Sequence, residues 1–197
     1  MIKSKFFKNC LALLLITLVA GLALAFVNEI TKNPIEEAEN QARLDAYSVV
    51  FDGAEFADES DIAKVSDLEL DCEINDVLTA KDESGDTIGY VMSVTSHSGY
   101  GGDIQIAIGI SSQSDTITGF TVLSHSETAG LGAKCTEEEF KNQFSGKSSR
   151  SGGIAYVKGG GASSDTEIDA ISGATITSSA VTDAVNAAIE FYNYIKD

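Results

Sequence analysis

The spacing of hydrophobic and polar residues changes several times along the chain, and each spacing predicts a different element. No charged residue interrupts the 18 positions from Cys10 to Val27. A run of that length extends about 27 Å as a helix, which is just enough to cross a bilayer. After Pro34, apolar side chains recur at helical spacing up to Val49. These patterns predict a transmembrane helix followed by an amphipathic helix that leaves the membrane.

A period of two then replaces the helical spacing and predicts β-strands. In the segment GDIQIAIGIS, isoleucine occupies every second position from Ile104 to Ile110. This alternation is typical of a strand with one buried face. Similar segments, separated by turns rich in glycine and serine, predict four further strands. These segments are 86–96, 116–125, 154–158 and 166–172.

Two helices are predicted in the second half of the chain. In TEEEF, Thr136 precedes Glu139 by three positions, which is the capping-box signature of a short helix extending to about Phe144. The last segment carries one apolar stripe at helical spacing. The stripe consists of Val181, Ala184, Val185, Ala188, Ile189 and Tyr192.

The order of these elements predicts the α+β class, with an N-terminal transmembrane helix followed by an antiparallel sheet flanked by helices. We divide the chain accordingly into four parts. They are a cytoplasmic N-terminus at 1–9, the transmembrane helix at 10–27, the amphipathic connecting helix at 28–50 and an exported domain at 51–197.

The distribution of charge predicts on which side of the membrane the domain lies. Of 13 basic residues, Lys3, Lys5 and Lys8 precede every acidic residue, so the chain from Glu29 onward carries 10 basic and 30 acidic residues. By the positive-inside rule, the N-terminus is cytoplasmic and the acidic domain is outside. The sequence Ala23-Leu-Ala25 also fits a signal-peptide cleavage site, and both interpretations export the domain. Such acidity argues against nucleic acid as a partner.

Most familiar catalytic and metal-binding signatures are absent from the sequence. The cysteines, Cys10, Cys72 and Cys135, are too few and too scattered for a disulfide framework, a zinc knuckle or an iron–sulfur cluster, although one pair could still form a disulfide. The chain contains neither the Rossmann glycine fingerprint nor a complete P-loop nor a nucleophile elbow. We therefore predict no metal site and no catalytic residue.

The segment DAISGATIT, 169–177, lies at the start of the terminal helix. In one interpretation Gly173 only makes a turn, and Thr177 or Ser178 caps the helix. In another, Thr175 lies where backbone N–H groups at the helix N-terminus would stabilise a phosphate attached to its hydroxyl. The segment contains no general base, and an unactivated threonine hydroxyl is a poor nucleophile.

This segment resembles the flavinylation motif D-x-x-S-G-A-T of FMN-binding domains, in which the last threonine carries FMN through a phosphoester bond. The resemblance implies that Thr175 is the acceptor, with Thr177 as its nearest rival. It also implies a separate flavin transferase that uses FAD and magnesium. The matching residues are Asp169, Ser172, Gly173, Ala174 and Thr175.

Two further segments resemble the same family. HSETAGLG is similar to its H-x-E-T-P-G-L-G loop, with Ala129 in place of the usual proline, although alone it would be a polar turn. SGYGGDI is similar to its G-Y-G-G-x-I turn. The resemblance implies that both segments approach the flavin. The implied cofactor-binding residues are Tyr100, His125, Glu127, Thr128, Gly130, Leu131 and Gly132.

Three such segments behind one anchor resemble the G subunits of Rnf complexes, the membrane-bound ferredoxin:NAD oxidoreductases that couple electron transfer to ion translocation. The resemblance implies a covalently flavinylated electron relay that works with the other membrane subunits and does not turn over alone. The C subunit of the sodium-translocating NADH:quinone reductase shares the motif and the anchor but is usually longer. Two other interpretations are an FMN-binding domain of an extracellular reductase and a non-redox exported binding domain.

Overall fold

The computed structural model describes residues 2–58, 70–150 and 152–196. The chain divides into two compact units, residues 1–42 and 43–197. Helix α1, Ile2–Val50, supplies all of the described part of the first unit and continues through Pro34 without a break. It is long and apolar enough to cross a membrane, and none of its apolar window is buried within the protein. The predicted transmembrane and connecting helices are therefore parts of one helix.

The second unit is built on a five-stranded antiparallel sheet whose strands follow one another in sequence order. The strands are β1 Glu55–Asp58, β2 Glu73–Lys81, β3 Thr87–Ser96, β4 Ile104–Ser111 and β5 Thr116–His125. The sequence pattern predicted β3, β4 and β5 but missed the first two. Strand β1 has only four residues, and a register shift between Ile74 and Asp76 interrupts the alternation of β2.

Strand β4, which lies between β3 and β5, is buried on both faces, which corrects the prediction of one buried face. Its isoleucines lie in the main core with the terminal helix, whereas Ala107 belongs to a second core that contains Tyr47 and Val50 from the end of α1. The Thr118 hydroxyl of β5 donates a hydrogen bond to the carbonyl of Val50, at 2.5 Å. The second face of β4 is therefore covered by the last residues of α1, which belong to the same unit as the sheet.

Helix α3, Thr175–Lys196, covers the other face of the sheet. All six residues of its predicted apolar stripe are buried, so that prediction is confirmed. At the C-terminal end of the helix, Tyr192 Oη donates a hydrogen bond of 2.6 Å to Asp115 Oδ1, and Lys196 also bonds this carboxylate. These bonds, above all the one from Lys196, lower the pKa of Asp115 to about 2.

The last two predicted strands are confirmed, whereas the predicted capping box is wrong. Strands β6, Ala155–Val157, and β7, Glu167–Asp169, form a separate parallel pair and do not extend the antiparallel sheet. Thr136 does not cap a helix, because it ends a short 3₁₀ helix, Gly132–Thr136, and its hydroxyl bonds the carbonyl of Ala133 at 2.9 Å. Helix α2, Glu138–Lys141, begins after Glu137 without a side-chain cap.

The cysteines do not form a disulfide: Cys10, Cys72 and Cys135 are all free. Cys72 and Cys135 are both buried in the main core. Burial, and after it the nearby charge of Glu127, raise the pKa of the Cys135 thiol to about 11. Both core cysteines therefore behave as small apolar side chains rather than as reactive thiols.

Candidate functional site

One end of the sheet brings the candidate segments together. Ile104, the first residue of β4, pairs with His125, the last residue of β5. The turn before β4 and the loop after β5 therefore leave the sheet side by side, and helix α3 begins at the same end. A cavity of about 530 Å³ lies among these three segments. Its lining residues are Tyr100, Glu127, Thr128, Leu131, Gly132, Gly173, Ala174, Thr175, Ile176 and Thr177.

Glu127 connects the three segments that line the cavity. Its Oε1 accepts a hydrogen bond of 2.8 Å from the backbone N–H of Gly101 in the turn. Its Oε2 accepts a hydrogen bond of 2.5 Å from the hydroxyl of Thr177 in α3. Only 8% of Glu127 is exposed. One buried carboxylate therefore fixes the turn, the loop and the helix relative to one another.

Close packing around this carboxylate explains two of the glycines. A methyl group at Gly132 would overlap Glu127 Oε2 and lie 2.5 Å from Thr177 Oγ1. At Gly101 it would overlap the carbonyl of Ser126. Both positions therefore need a residue without a side chain so that the turn and the loop can pack together. This requirement is steric, because neither residue has a positive φ.

The two threonines of the helix start differ in what their hydroxyls do. Thr177 is 1% exposed and donates its proton to Glu127. Thr175 is the first residue of α3 and is partly exposed at the cavity. Ser178 is the first residue of the helix whose N–H bonds a carbonyl four residues back, that of Ala174 at 3.0 Å. The N–H groups of the preceding helical residues are therefore available to an anion near Thr175.

Gly173 and three exposed side chains shape the mouth of the cavity. Gly173 has a φ of +77°, a conformation that side chains disfavour, and it makes the turn into α3. Tyr100 is 71% exposed, Ile176 52% and Leu131 46%. The rim is thus apolar while the floor carries Glu127. Sequence reasoning missed Ile176, which directly follows the motif, because its neighbours Thr175 and Thr177 carried the recognisable chemistry.

Four of the residues predicted to bind the cofactor do not line the cavity. The Asp169 carboxylate accepts a hydrogen bond of 2.8 Å from Ala162 N–H, and the Asp169 N–H donates to Gln143 Oε1 at 2.6 Å. Asp169 and Ser172 line a separate cleft of about 280 Å³. His125 Nδ1 accepts a hydrogen bond of 3.1 Å from Glu127 N–H. Gly130 makes a turn with a φ of +76°. In the structure Asp169, His125 and Gly130 shape the loops around the site.

The site offers no metal centre within the described residues. No group of three or more histidine, cysteine, aspartate or glutamate side chains in that part of the chain is arranged to hold an ion. Among the same residues, no cation forms an ion pair with Glu127. The N–H groups at the start of α3 and the apolar rim together can hold a ligand that has an anionic group and an apolar body.

Comparison with known proteins agrees with this geometry. Residues 99–190, which include every residue that lines the cavity, match the FMN-binding domain family. Residues 1–50 match the RnfG N-terminal region. The crystal structure of Shewanella oneidensis NqrC is similar with a TM-score of 0.53 and 28% sequence identity, over 61% of this chain and 60% of that chain. The second unit therefore contains an FMN-binding domain.

Two curated relatives match over nearly their whole length. The G subunit of the Na(+)-translocating ferredoxin:NAD(+) oxidoreductase complex of Acetobacterium woodii is 38% identical, over 94% of this chain and 91% of the relative. The G subunit of the ion-translocating oxidoreductase complex of Methanosarcina acetivorans is 35% identical, over 93% of each chain. This protein therefore belongs to the G-subunit family of the Rnf ion-translocating oxidoreductase complexes.

Proposed function

We propose that this protein is the flavin-carrying electron relay of an ion-translocating ferredoxin:NAD oxidoreductase complex, with FMN attached covalently through its phosphate to Thr175. One observation carries the proposal. The three flavin-related segments of the sequence meet around a single cavity, and an accessible threonine at the start of a helix lies on its wall.

The residues of the cavity fit FMN in size and in chemistry. Its volume of about 530 Å³ is within the range typical of small-molecule and cofactor sites. The helix start supplies N–H donors and the positive end of a dipole for a phosphate at Thr175. The apolar rim formed by Tyr100, Leu131 and Ile176 suits an aromatic ring system. When bound, the flavin would supply the capacity to accept and donate electrons, which no other group of this chain offers.

The chemistry of Thr175 supports attachment by a separate flavin transferase. Among the described residues, no side chain hydrogen-bonds the Thr175 hydroxyl, so no general base activates it. A separate enzyme that brings FAD and magnesium would supply that activation. The covalent bond would then keep the flavin at a high effective concentration in a compartment where free FMN would be lost by dilution.

We propose that the domain lies outside the cytoplasmic membrane and works beside the other membrane subunits of the complex. The support is a helix long enough to span a bilayer, with Lys3, Lys5 and Lys8 before its apolar part.

A reporter enzyme active only outside the cytoplasm should therefore be active when fused after Asp197. Activity restricted to a cytoplasmic reporter would reverse this orientation, and a mature chain beginning at Phe26 would replace the anchor by a cleaved signal.

The direct test of flavin attachment is the intact mass of the protein after expression with and without a flavin transferase. We expect a gain of one FMN moiety only when the transferase is present, and a fluorescent band on a denaturing gel. An unchanged mass in the presence of an active transferase that labels a known substrate would reject covalent attachment.

A second test concerns the packing of the cavity. In Gly132→Ala, the new methyl group would overlap Glu127, so we expect a loss of unfolding free energy of about 1–3 kcal/mol. Since Thr175 is intact, the covalent label should remain, but the visible absorption spectrum should shift towards that of free FMN.

The matched control is Gly130→Ala, which faces open space at a φ of +76°. It should cost about 1–2 kcal/mol in backbone strain and leave the spectrum unchanged. Equal spectral shifts in both variants would contradict this account of the cavity.

A further inference from the structure

Glu127 is a buried carboxylate to which the proposed relay function assigns no electrostatic role. It is 8% exposed and lines the same cavity as Thr175. Each of its oxygens accepts one hydrogen bond, from Gly101 N–H and from the Thr177 hydroxyl. Both oxygens of this carboxylate therefore act as hydrogen-bond acceptors.

The second relevant feature of Glu127 is that it has no counter-ion among the described residues. In the described part of the chain, no lysine, arginine or histidine forms an ion pair with it. The charge of Glu127 also acts on the core behind the cavity. It raises the pKa of the Cys135 thiol, although burial of that thiol is the larger cause. A buried charge without a counter-ion is costly to keep. It is also weakly screened, so it acts strongly on its surroundings.

We propose that Glu127 sets the redox potential of the flavin by placing a negative charge in the cavity. This inference rests on the proposed attachment of FMN at Thr175. Reduction adds electrons to the flavin, so a nearby negative charge disfavours the reduced form and makes the midpoint potential more negative. Glu127 acts here as a positioning and electrostatic residue: its hydrogen bonds hold the segments together, and its charge tunes the cofactor.

The hydrogen bond from Thr177 weakens the effect of the Glu127 charge on the midpoint potential of the flavin. Its donated proton at 2.5 Å stabilises the carboxylate and disperses part of its charge. Removing the hydroxyl while keeping the carboxylate should therefore leave the potential unchanged or make it more negative. Removing the charge while keeping the shape should make the potential more positive. The two changes separate the charge of Glu127 from its role in packing.

The test is a spectroscopic redox titration of the full chain, flavinylated by a transferase, in detergent. In Glu127→Gln we expect the midpoint potential to shift to a more positive value. The matched control is Glu83→Gln in the exposed turn between β2 and β3, where solvent screens the charge and no shift is expected. In Thr177→Val we expect no positive shift. Intact mass and thermal unfolding confirm loading and folding before each titration.

Several outcomes would overturn the inference. An unshifted or more negative potential in loaded Glu127→Gln would reject the electrostatic role while leaving the flavin relay intact. A positive shift in Thr177→Val equal to that in Glu127→Gln would assign the effect to a loosened cavity. If Glu127→Gln does not fold, Thr177→Val decides alone, since any positive shift there contradicts the inference. A wild-type chain without flavin would defeat both the relay function and this inference.

Discussion

Replacing Thr175 with alanine is expected to abolish covalent flavin attachment completely. The substitution removes the hydroxyl that would form the phosphoester bond, and it leaves the helix start otherwise unchanged because alanine is a good helix former. Wild-type protein expressed with a flavin transferase should give a fluorescent band on a denaturing gel and a mass increased by one FMN moiety. The Thr175→Ala protein should show neither, while its thermal unfolding stays close to that of the wild type.

Thr177→Ala is the matched control, two residues further along the same helix. Its hydroxyl is buried and donates to Glu127, so it is not available as an acceptor of FMN. We expect this variant to retain at least part of the label. It should also lose about 1–3 kcal/mol of stability, because Glu127 Oε2 is left without its partner. A label that persisted in Thr175→Ala and disappeared in Thr177→Ala would move the attachment site to Thr177.

The second large effect is expected in the intact complex. In membranes that contain all subunits, Thr175→Ala should stop ferredoxin-driven reduction of NAD, because the electron path would lack one carrier. The remaining subunits should still assemble, since Thr175 makes no side-chain bond that holds the described domain together. NAD reduction and subunit content are both measured in the same membranes. Full activity in these membranes would reject the relay function.

The purified, flavinylated subunit provides the complementary measurement. It should show negligible NADH oxidation and negligible turnover of small acceptors. The sequence contains no nicotinamide-binding fingerprint, and its two histidines, His97 and His125, do not line the cavity. A self-sufficient reductase would need a substrate site and usually a proton donor beside the flavin. Robust turnover with a physiological acceptor would favour the alternative of an extracellular reductase.

The sequence by itself determined the elements whose residue pattern is strictly local. The apolar stripe of α3 and the positions of strands β3, β4 and β5 follow from neighbours two to four positions away, and the structure confirms them, although β4 is buried on both faces. The same holds for the long N-terminal helix. The three flavin-related motifs are also local strings, so the family and the candidate acceptor Thr175 could be inferred before any fold was known.

Tertiary structure alone decided which residues meet and what each one does. The bonds of Glu127 join residues 26 and 50 positions apart, and no local pattern reports a contact over such a distance. The covering of both faces of β4 depends on where the end of α1 packs. Asp169 and Thr177 belong to the same segment, 169–177, as Thr175, yet one bonds a neighbouring loop and the other bonds Glu127. Motif membership follows from the chain, whereas the availability of a hydroxyl follows from burial and hydrogen bonding in the folded domain.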